Sequence, residues 1–418
     1  MFTNLDSPQI KKPERCHAMQ PSANQKNVWD RRGLPAWTYH SEALLRLEQT
    51  VIFETHWQIA GHVSDISKNG DFLTFEVAAE RALVVRGGDG VIRAFHNLCR
   101  HRGSRVVAEK QGHCKNAIVC PFHGWVYNLD GTLRGPARPK TFGPIDKTLF
   151  GLKPIEVEIW QGLIFIRFRR GPQPSVSALL SQPARELAAY RIEELVPAGG
   201  FWETHAPVNW KSVRDVDNEG YHVPMAHPAL QDLYGASYRD DAFINGVSRS
   251  TAVYNPHGGR RWSVRNYIKI APEQTWLPEH LRKTWGYFGL FPNSVIAVTP
   301  ELVQFYQEFP LGVSSTLQRG AIYRRASESR EQKLARYLAM RIDRETTRED
   351  KQLTIWSNEA MKSSAFEGFH LSDLELGVHS HHDHLRQSLP VMTMDAPPPD
   401  HMIAEINQEL SGRPPATI

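Results

Sequence analysis

Between Phe72 and Phe95 the chain runs through short apolar, β-branched stretches, Phe72–Val77, Ala82–Val85 and Val91–Phe95, broken by polar turns, a pattern that predicts strands. Gly87-Gly88-Asp89-Gly90 lies between two of them. With strands on both sides and no helix following, it predicts a hairpin turn rather than a phosphate-cradling loop. Strand-like segments continue at Ile118–Cys120, Trp125–Asn128 and Gly162–Phe168, with Asp130-Gly131 as a further hairpin signal. From Val176 to Leu195 the period changes: Leu179, Leu180, Leu187 and Ala188 recur near helical spacing, so a boundary is placed near residue 166. Beyond it, strands are expected at Trp262–Ile270, Ser294–Val298, Val303–Phe309 and Ala321–Arg324, and a long helix from Ser327 to about Ser364. The pattern predicts an α+β protein in three parts: an irregular, proline-punctuated arm over 1–44, a β-rich domain over 45–165, and a domain over 166–418 in which the helix covers an antiparallel sheet.

Composition narrows the class without naming it. A chain of 418 residues holds two or three domains of ordinary size, and 41% hydrophobic with 22% charged residues excludes collagen-like, disordered and coiled-coil classes. The 49 basic and 45 acidic side chains leave a net charge of +4 and form no basic block, so no nucleic-acid partner is expected. Met1–Gln20 lacks the apolar region of a signal peptide and no apolar run is long enough to span a bilayer; no membrane association and a cytoplasmic location are the expectation. Four cysteines are too few for a disulfide framework, which turns attention to metal.

The densest chemistry is Cys99-Arg100-His101, then, eighteen residues on, Cys120-Pro121-Phe122-His123. Two loops that each donate one Cys and one His suit a [2Fe–2S] cluster with both cysteines on one iron and both histidines on the other. A structural zinc ion is the alternative, although C-x-H is tighter than the usual spacing of paired zinc ligands. A second group lies in Asn209–Pro228: His222 and His227, with Asp215, Asp217 and Glu219 nearby. On a helix Glu219 and His222 share a face, while Pro224 and Pro228 imply a bend that brings His227 round. Two imidazoles and one distant carboxylate make the facial triad of non-haem iron oxygenases. Arg348-Glu349-Asp350-Lys351-Gln352 on the long helix supplies that carboxylate; with Leu353, Trp356 and Ala360 taken as the inward stripe, Glu349 and Asp350 both face it, and Asp343 is a further candidate.

Asn97-Leu98-Cys99-Arg100-His101-Arg102-Gly103 and Cys120-Pro121-Phe122-His123-Gly124-Trp125, followed by Tyr127 and Asp130-Gly131, resemble the cluster loops of Rieske non-haem iron oxygenase α subunits of the aromatic ring-hydroxylating type. Ser104 and Phe122 stand where respiratory Rieske carriers place a loop disulfide, so the unbridged, oxygenase-type arrangement is expected; Cys16 and Cys114 are read as non-ligands. The resemblance implies a Rieske domain followed by a helix-grip-like catalytic domain, with the cluster held by Cys99, His101, Cys120 and His123. It also implies a mononuclear Fe(II) on His222, His227 and Asp350, and Glu219 as the acid that connects His222 to His101 or His123 of a neighbouring subunit. Asp215-Val216 departs from the family's Glu-Asn at that point. The histidines His379, His381, His382 and His384 are placed on a terminal helix rather than on a further metal. As partners the resemblance implies a reductase with or without a ferredoxin, O2, a homotrimer, and room for a small β subunit; the chain shows no dinucleotide fingerprint of its own.

The reaction expected first is hydroxylation of an aromatic substrate. Oxidation of a betaine-like quaternary ammonium compound is the alternative, because aromatics from Tyr234 to Phe309, Tyr254, Trp262, Tyr267, Trp276, Trp285, Tyr287, Phe288 and Phe305 among them, line an arene pocket or cage a cation equally well where they are not core. A Rieske electron carrier without turnover is the alternative of another class.

Overall fold

The computed structural model describes residues 30–412. In its first half, ten strands form two antiparallel sheets: β1 (Gln58–His62), β2 (Asp71–Val77), β3 (Glu80–Arg86), β4 (Ile92–His96), β5 (Gln111–His113), β6 (Ile118–Val119), β7 (Val126–Tyr127), β8 (Leu133–Gly135), β9 (Pro154–Trp160) and β10 (Leu163–Arg167). The larger sheet runs β1-β10-β9-β4-β3-β2-β5, and β6-β7-β8 form the smaller one. Strand β3 shows why its sequence is continuously apolar: Ala82 and Val84 enter the main core, while Leu83 and Val85 enter a second core beneath the metal loops. The glycine-rich turn closes a hairpin between β3 and β4, with Gly87 N–H donating to Val91 O at 2.8 Å.

The second half is an eight-stranded antiparallel sheet made of β11 (Leu195–Pro197), β12 (Trp202–Ala206), β13 (Arg239–Ile244), β14 (Val247–Val253), β15 (Thr284–Leu290), β16 (Ser294–Val298), β17 (Val303–Gly312) and β18 (Ser315–Arg325). Its order is β11-β18-β17-β16-β15-β14-β13, with β12 also on β18. The helices of the molecule are α1 (Glu42–Glu48), α2 (Val176–Leu179), α3 (Ala184–Ala188), α4 (Trp210–Asp217), α5 (Val223–Ala226), α6 (Pro228–Tyr234), α7 (Trp262–Ile270), α8 (Arg330–Ala360), α9 (Leu376–Ser388) and α10 (Ile403–Leu410). A capping box opens α8: Gln332 N–H donates to Ser329 Oγ and Ser329 N–H to Gln332 Oε1. The first half of α8 packs Ala335, Leu338, Ala339 and Ile342 onto the core shared with α6 and α7. The architecture is thus the expected β-rich domain followed by an α+β, helix-grip-like domain.

Four expectations need correction. Trp262–Ile270 is the helix α7 rather than a strand: Ser263, Val264 and Tyr267 point inward at helical spacing while Arg265 and Lys269 face solvent. The helix expected over Val176–Leu195 breaks into α2 and α3, because Pro183 has no N–H to continue the ladder. On α8 the inward residues beyond the site are Thr354 and Asn358; Trp356 is 59% exposed, and Ala360 is exposed too. The stretch expected to be an irregular arm, 1–44, is described only from Asp30, and from Leu34 onward it is built into the main core through Leu34, Tyr39 and Leu44. Cys16 lies outside the described residues.

Candidate metal centres and active site

The two Cys/His loops fold the same way. Gly103 N–H returns to Cys99 O at 2.9 Å and Gly124 N–H to Cys120 O at 3.0 Å, each glycine at positive φ (+76° and +67°), a conformation closed to most side chains. Asn97 braces the first loop, its Oδ1 accepting from Val106 and Val107 N–H and its Nδ2 donating to Val107 O. Cys99 and Cys120 are buried side by side, and the His101 and His123 rings lie 4.7 Å apart between centroids, so the donors sort into a sulfur pair and an imidazole pair. His101 stacks flat on Trp125 at 5.2 Å, and its Nδ1 is buried without a hydrogen-bond partner. Burial pushes the Cys99 thiol up, so a cation must take the proton's place for the sulfur to act as a thiolate. Tyr127 OH accepts from Arg100 N–H at 3.0 Å and lies 3.2 Å from Cys99 Sγ, placed to donate to it. His123 is exposed at the tip. These residues fit a [2Fe–2S] cluster. Cys114 stands apart, half-buried, its N–H on Gly70 O.

The second group is assembled by α4, the turn after it, and α8. Asn209 caps α4 and also donates to Tyr39 O, while Lys211 and Trp210 bond the buried Glu48 of α1. At the turn after α4, Gly220 is required because a Cβ there would lie 1.9 Å from the Tyr238 ring. Glu219 folds back to accept from Tyr221 N–H, His222 N–H and His222 Nδ1, which leaves His222 Nε2 facing inward. The two prolines mark a real bend: α5 is capped by His227, whose non-helical backbone (φ −119°, ψ 77°) precedes Pro228 of α6. On α8, Asn358 Nδ2 donates to Ser212 Oγ of α4 at 2.8 Å and ties the two helices in register.

His222 Nε2, His227 Nε2 and Asp350 Oδ1 converge: the nitrogens are 3.0 Å apart, and the oxygen lies 3.5 and 2.8 Å from them. Cis ligands of one six-coordinate ion with bonds of about 2.1 Å stand about 3 Å apart, so the three atoms fit one metal. Asp350 Oδ1 is moreover buried. Burial, which lowers the His222 pKa, is outweighed by Asp350 and Glu219, which hold it up to about 10; a pocket that binds a proton so tightly favours a cation. Glu349 does not join the triad. It accepts from the opposite ring nitrogen, His227 Nδ1, at 2.9 Å and so fixes which nitrogen faces the metal. Asp343 lies a turn and more away, on the wall of a cavity of ≈ 210 Å³ that opens beside the triad. Val216, Leu230, Tyr234, Tyr287, Gln304 and Tyr306 also line that cavity. Of the aromatics named from sequence, Tyr234 and Tyr287 reach it; Tyr254, Tyr267, Trp285, Phe288 and Phe305 are core, and Trp262 is exposed. The histidines of α9 are engaged structurally: His381 with Pro292 O, His382 with Asp215 and Leu34 N–H, His384 with Ser380 O.

Fold and sites together define a redox-cluster domain joined to a domain for a mononuclear metal held by two histidines and a carboxylate. Residues 56–148 match the model of the Rieske [2Fe–2S] domain, and 193–390 that of the ring hydroxylating alpha subunit (catalytic domain). The carnitine monooxygenase oxygenase subunit of Acinetobacter pittii is 31% identical over 297 residues, 69% of this chain and 76% of that protein. The glycine betaine monooxygenase oxygenase subunit of Pseudomonas aeruginosa is 36% identical over 249 residues, 57% of each chain. Among solved structures, a quaternary ammonium Rieske monooxygenase in complex with L-carnitine aligns with TM-score 0.68 and 25% identity, over 85% of this chain and 95% of that one. Naphthalene 1,2-dioxygenase from Rhodococcus sp. shares the fold, with TM-score 0.70 and 19% identity over 87% of this chain and 95% of that one. The chain belongs to the Rieske-type non-haem iron oxygenases, as a catalytic (α) subunit. It is a terminal oxygenase that uses O2. No helix of the described residues is long and apolar enough to cross a membrane.

Proposed function

We propose that this oxygenase oxidises a quaternary ammonium compound by monooxygenation, the second of the two substrate classes expected from the sequence. The observation that carries the reading is the cavity beside His222, His227 and Asp350: its wall combines the carboxylates Asp217, Glu308 and Asp343 with the tyrosines Tyr234, Tyr287 and Tyr306. Carboxylates and π faces attract a cation, whereas a neutral arene gains nothing from the acids and keeps them dehydrated. Carnitine and glycine betaine, named for the relatives, belong to the same chemical class.

In this reading Cys99, His101, Cys120 and His123 hold the [2Fe–2S] cluster, and His222, His227 and Asp350 hold Fe(II). When bound, the two groups together supply stepwise electrons and the activation of O2. The chain's own residues do the rest. Glu219 holds the Nδ1 proton of His222 and Glu349 that of His227, so both rings offer Nε2 to the metal. In a homotrimer, Glu219 would also connect His222 to His101 or His123 of a neighbouring subunit. Electrons come from a separate reductase, directly or through a ferredoxin, in the cytoplasm. Leu230 and Val216 add apolar surface to the cavity wall.

The test is O2 uptake by the reconstituted enzyme with a reductase, offering choline, glycine betaine, L-carnitine and naphthalene in turn. Uptake coupled to product is expected with at least one ammonium compound and absent with naphthalene. Coupling to naphthalene alone overturns the reading.

A further inference from the structure

Building on the reading of an ammonium substrate, we propose that Asp343 is the specificity-determining counter-charge that seats the substrate's cationic nitrogen in the cavity. The inference comes from how each acid of that cavity is engaged. Glu219 is committed to His222, and Asp350 to the two imidazoles. Asp217 is compensated by Arg214 Nη1 at 2.7 Å and by Tyr306 OH at 2.9 Å. Glu308 Oε2 shares the same guanidinium at 3.3 Å, while its Oε1 has no partner although the side chain is 1% exposed. Among the described residues Asp343 has no ion pair; the Gln304 amide is its hydrogen-bond partner, and the neighbouring Arg344 faces solvent. One guanidinium therefore serves Asp217 and Glu308, Asp343 makes no ion pair among the described residues, and a buried oxygen of Glu308 is left open at the same wall.

The tyrosines complete the subsite. Tyr234 and Tyr287, with hydroxyls 3.0 Å apart, both lie within the field of Asp343, and Tyr306 adjoins Asp217. Burial, with the charge of Asp217 added, pushes the Asp343 carboxyl up to about 6. A trimethylammonium group supplies the missing counter-charge. Its charge is permanent and its methyl surface suits the aromatic rings, so it pairs with Asp343 by charge and contact rather than through an N–H.

The experiment measures binding to the iron-loaded holoenzyme by calorimetry, using choline, glycine betaine, L-carnitine, and 3,3-dimethylbutan-1-ol as the neutral isostere of choline. For whichever ammonium compound binds best, Asp343→Asn is expected to raise Kd by about thirtyfold or more, as removal of one member of a buried charge pair does, with affinity for the isostere within about twofold of wild type. Asp343→Glu, which keeps the charge, is expected to retain the preference for ammonium over isostere. Iron content should stay near wild type in both variants, which separates substrate seating from damage to the metal site. An unchanged Kd, or an equal loss on ammonium and isostere, overturns the proposal. Should Asp343→Asn not fold, Asp343→Glu decides alone: a preference that collapses despite the retained charge overturns it. Failure of wild type to bind any ammonium compound overturns both this inference and the substrate class; binding that ignores Asp343 overturns this inference only.

Discussion

Glu349 and Asp350 are neighbours in sequence and opposite in role. On α8 successive residues point about 100° apart, so one carboxylate meets His227 at Nε2 and the other at Nδ1. Asp350→Ala should therefore abolish mononuclear iron, leaving the two irons of the cluster by metal analysis and an intact cluster signal by electron paramagnetic resonance. Glu349→Gln should keep the site but weaken its iron affinity by about 10–100-fold, as loss of a ligand-orienting carboxylate does. At the cluster, Tyr127→Phe removes the donor to Cys99 Sγ; with about 1–2 kcal/mol lost selectively from the reduced state, the midpoint potential should fall by about 40–90 mV. A potential that does not move would show that Tyr127 only packs. The four candidate cluster ligands are legible in sequence because all sit in two short loops. The third iron ligand was ambiguous because a helix face cannot be assigned to within one residue until its partner, the bent segment at His227, is in place.

The site depends on how closely its elements approach one another, and that property leaves the faintest trace in sequence. Gly377 in the first turn of α9 is pressed against Asn218 O: a Cβ there would lie 2.0 Å from that backbone oxygen. Asn218 immediately precedes Glu219, so α9 buttresses the turn that carries the first histidine. Gly377→Ala must push the helix or the turn aside, at a cost of about 1–3 kcal/mol. The expected result is a lower Tm and reduced mononuclear iron with the cluster signal unchanged; a variant that loads iron normally would show that the turn holds itself. The same limit explains the misread elements. Segments such as β17 and α8 are evident in sequence and β18 only in its last residues, Ala321–Arg324, whereas α7 is nine residues of mixed aromatic and β-branched character whose helical state is decided by packing against α8. The inward stripe of α8 was misplaced for the related reason that its site-facing turn buries the polar Thr354 and Asn358, which hydropathy assigns to solvent.

At the scale of the whole chain, the main core joins Leu34 to Phe53 with strands of both halves and with Leu385, Leu389, Val391, Met392 and Ile403 near the end. No local pattern announces such a contact, because its entropic cost is set by loop closure and its gain by surfaces far apart in sequence. Buried histidines sit along this seam. His56 meets the Phe291 ring edge-on at 5.2 Å, and His62 Nε2 reaches Ile192 O at 3.0 Å and its ring packs against Tyr323. Burial lowers both from 6.5 to about 4, only partly offset by their backbone hydrogen bonds. Because the folded value lies below the unfolded one, each contributes stability that is whole above pH 6.5 and is lost as the pH falls toward 4, on the order of 3 kcal/mol apiece. Glu301 acts in the opposite sense: burial raises it to about 7, so its stability is whole below pH 4.5 and is lost as the pH rises through 7. The two trends overlap in wild type and part in variants. The Tm difference between wild type and His56→Gln should narrow or reverse between pH 7 and 4.5, since the variant has no group to charge, while Glu301→Gln should gain on wild type as the pH rises from 5 to 8. Thermal melts of the holoenzyme across that range check both, and parallel curves for either variant would place its pH dependence elsewhere than in the seam.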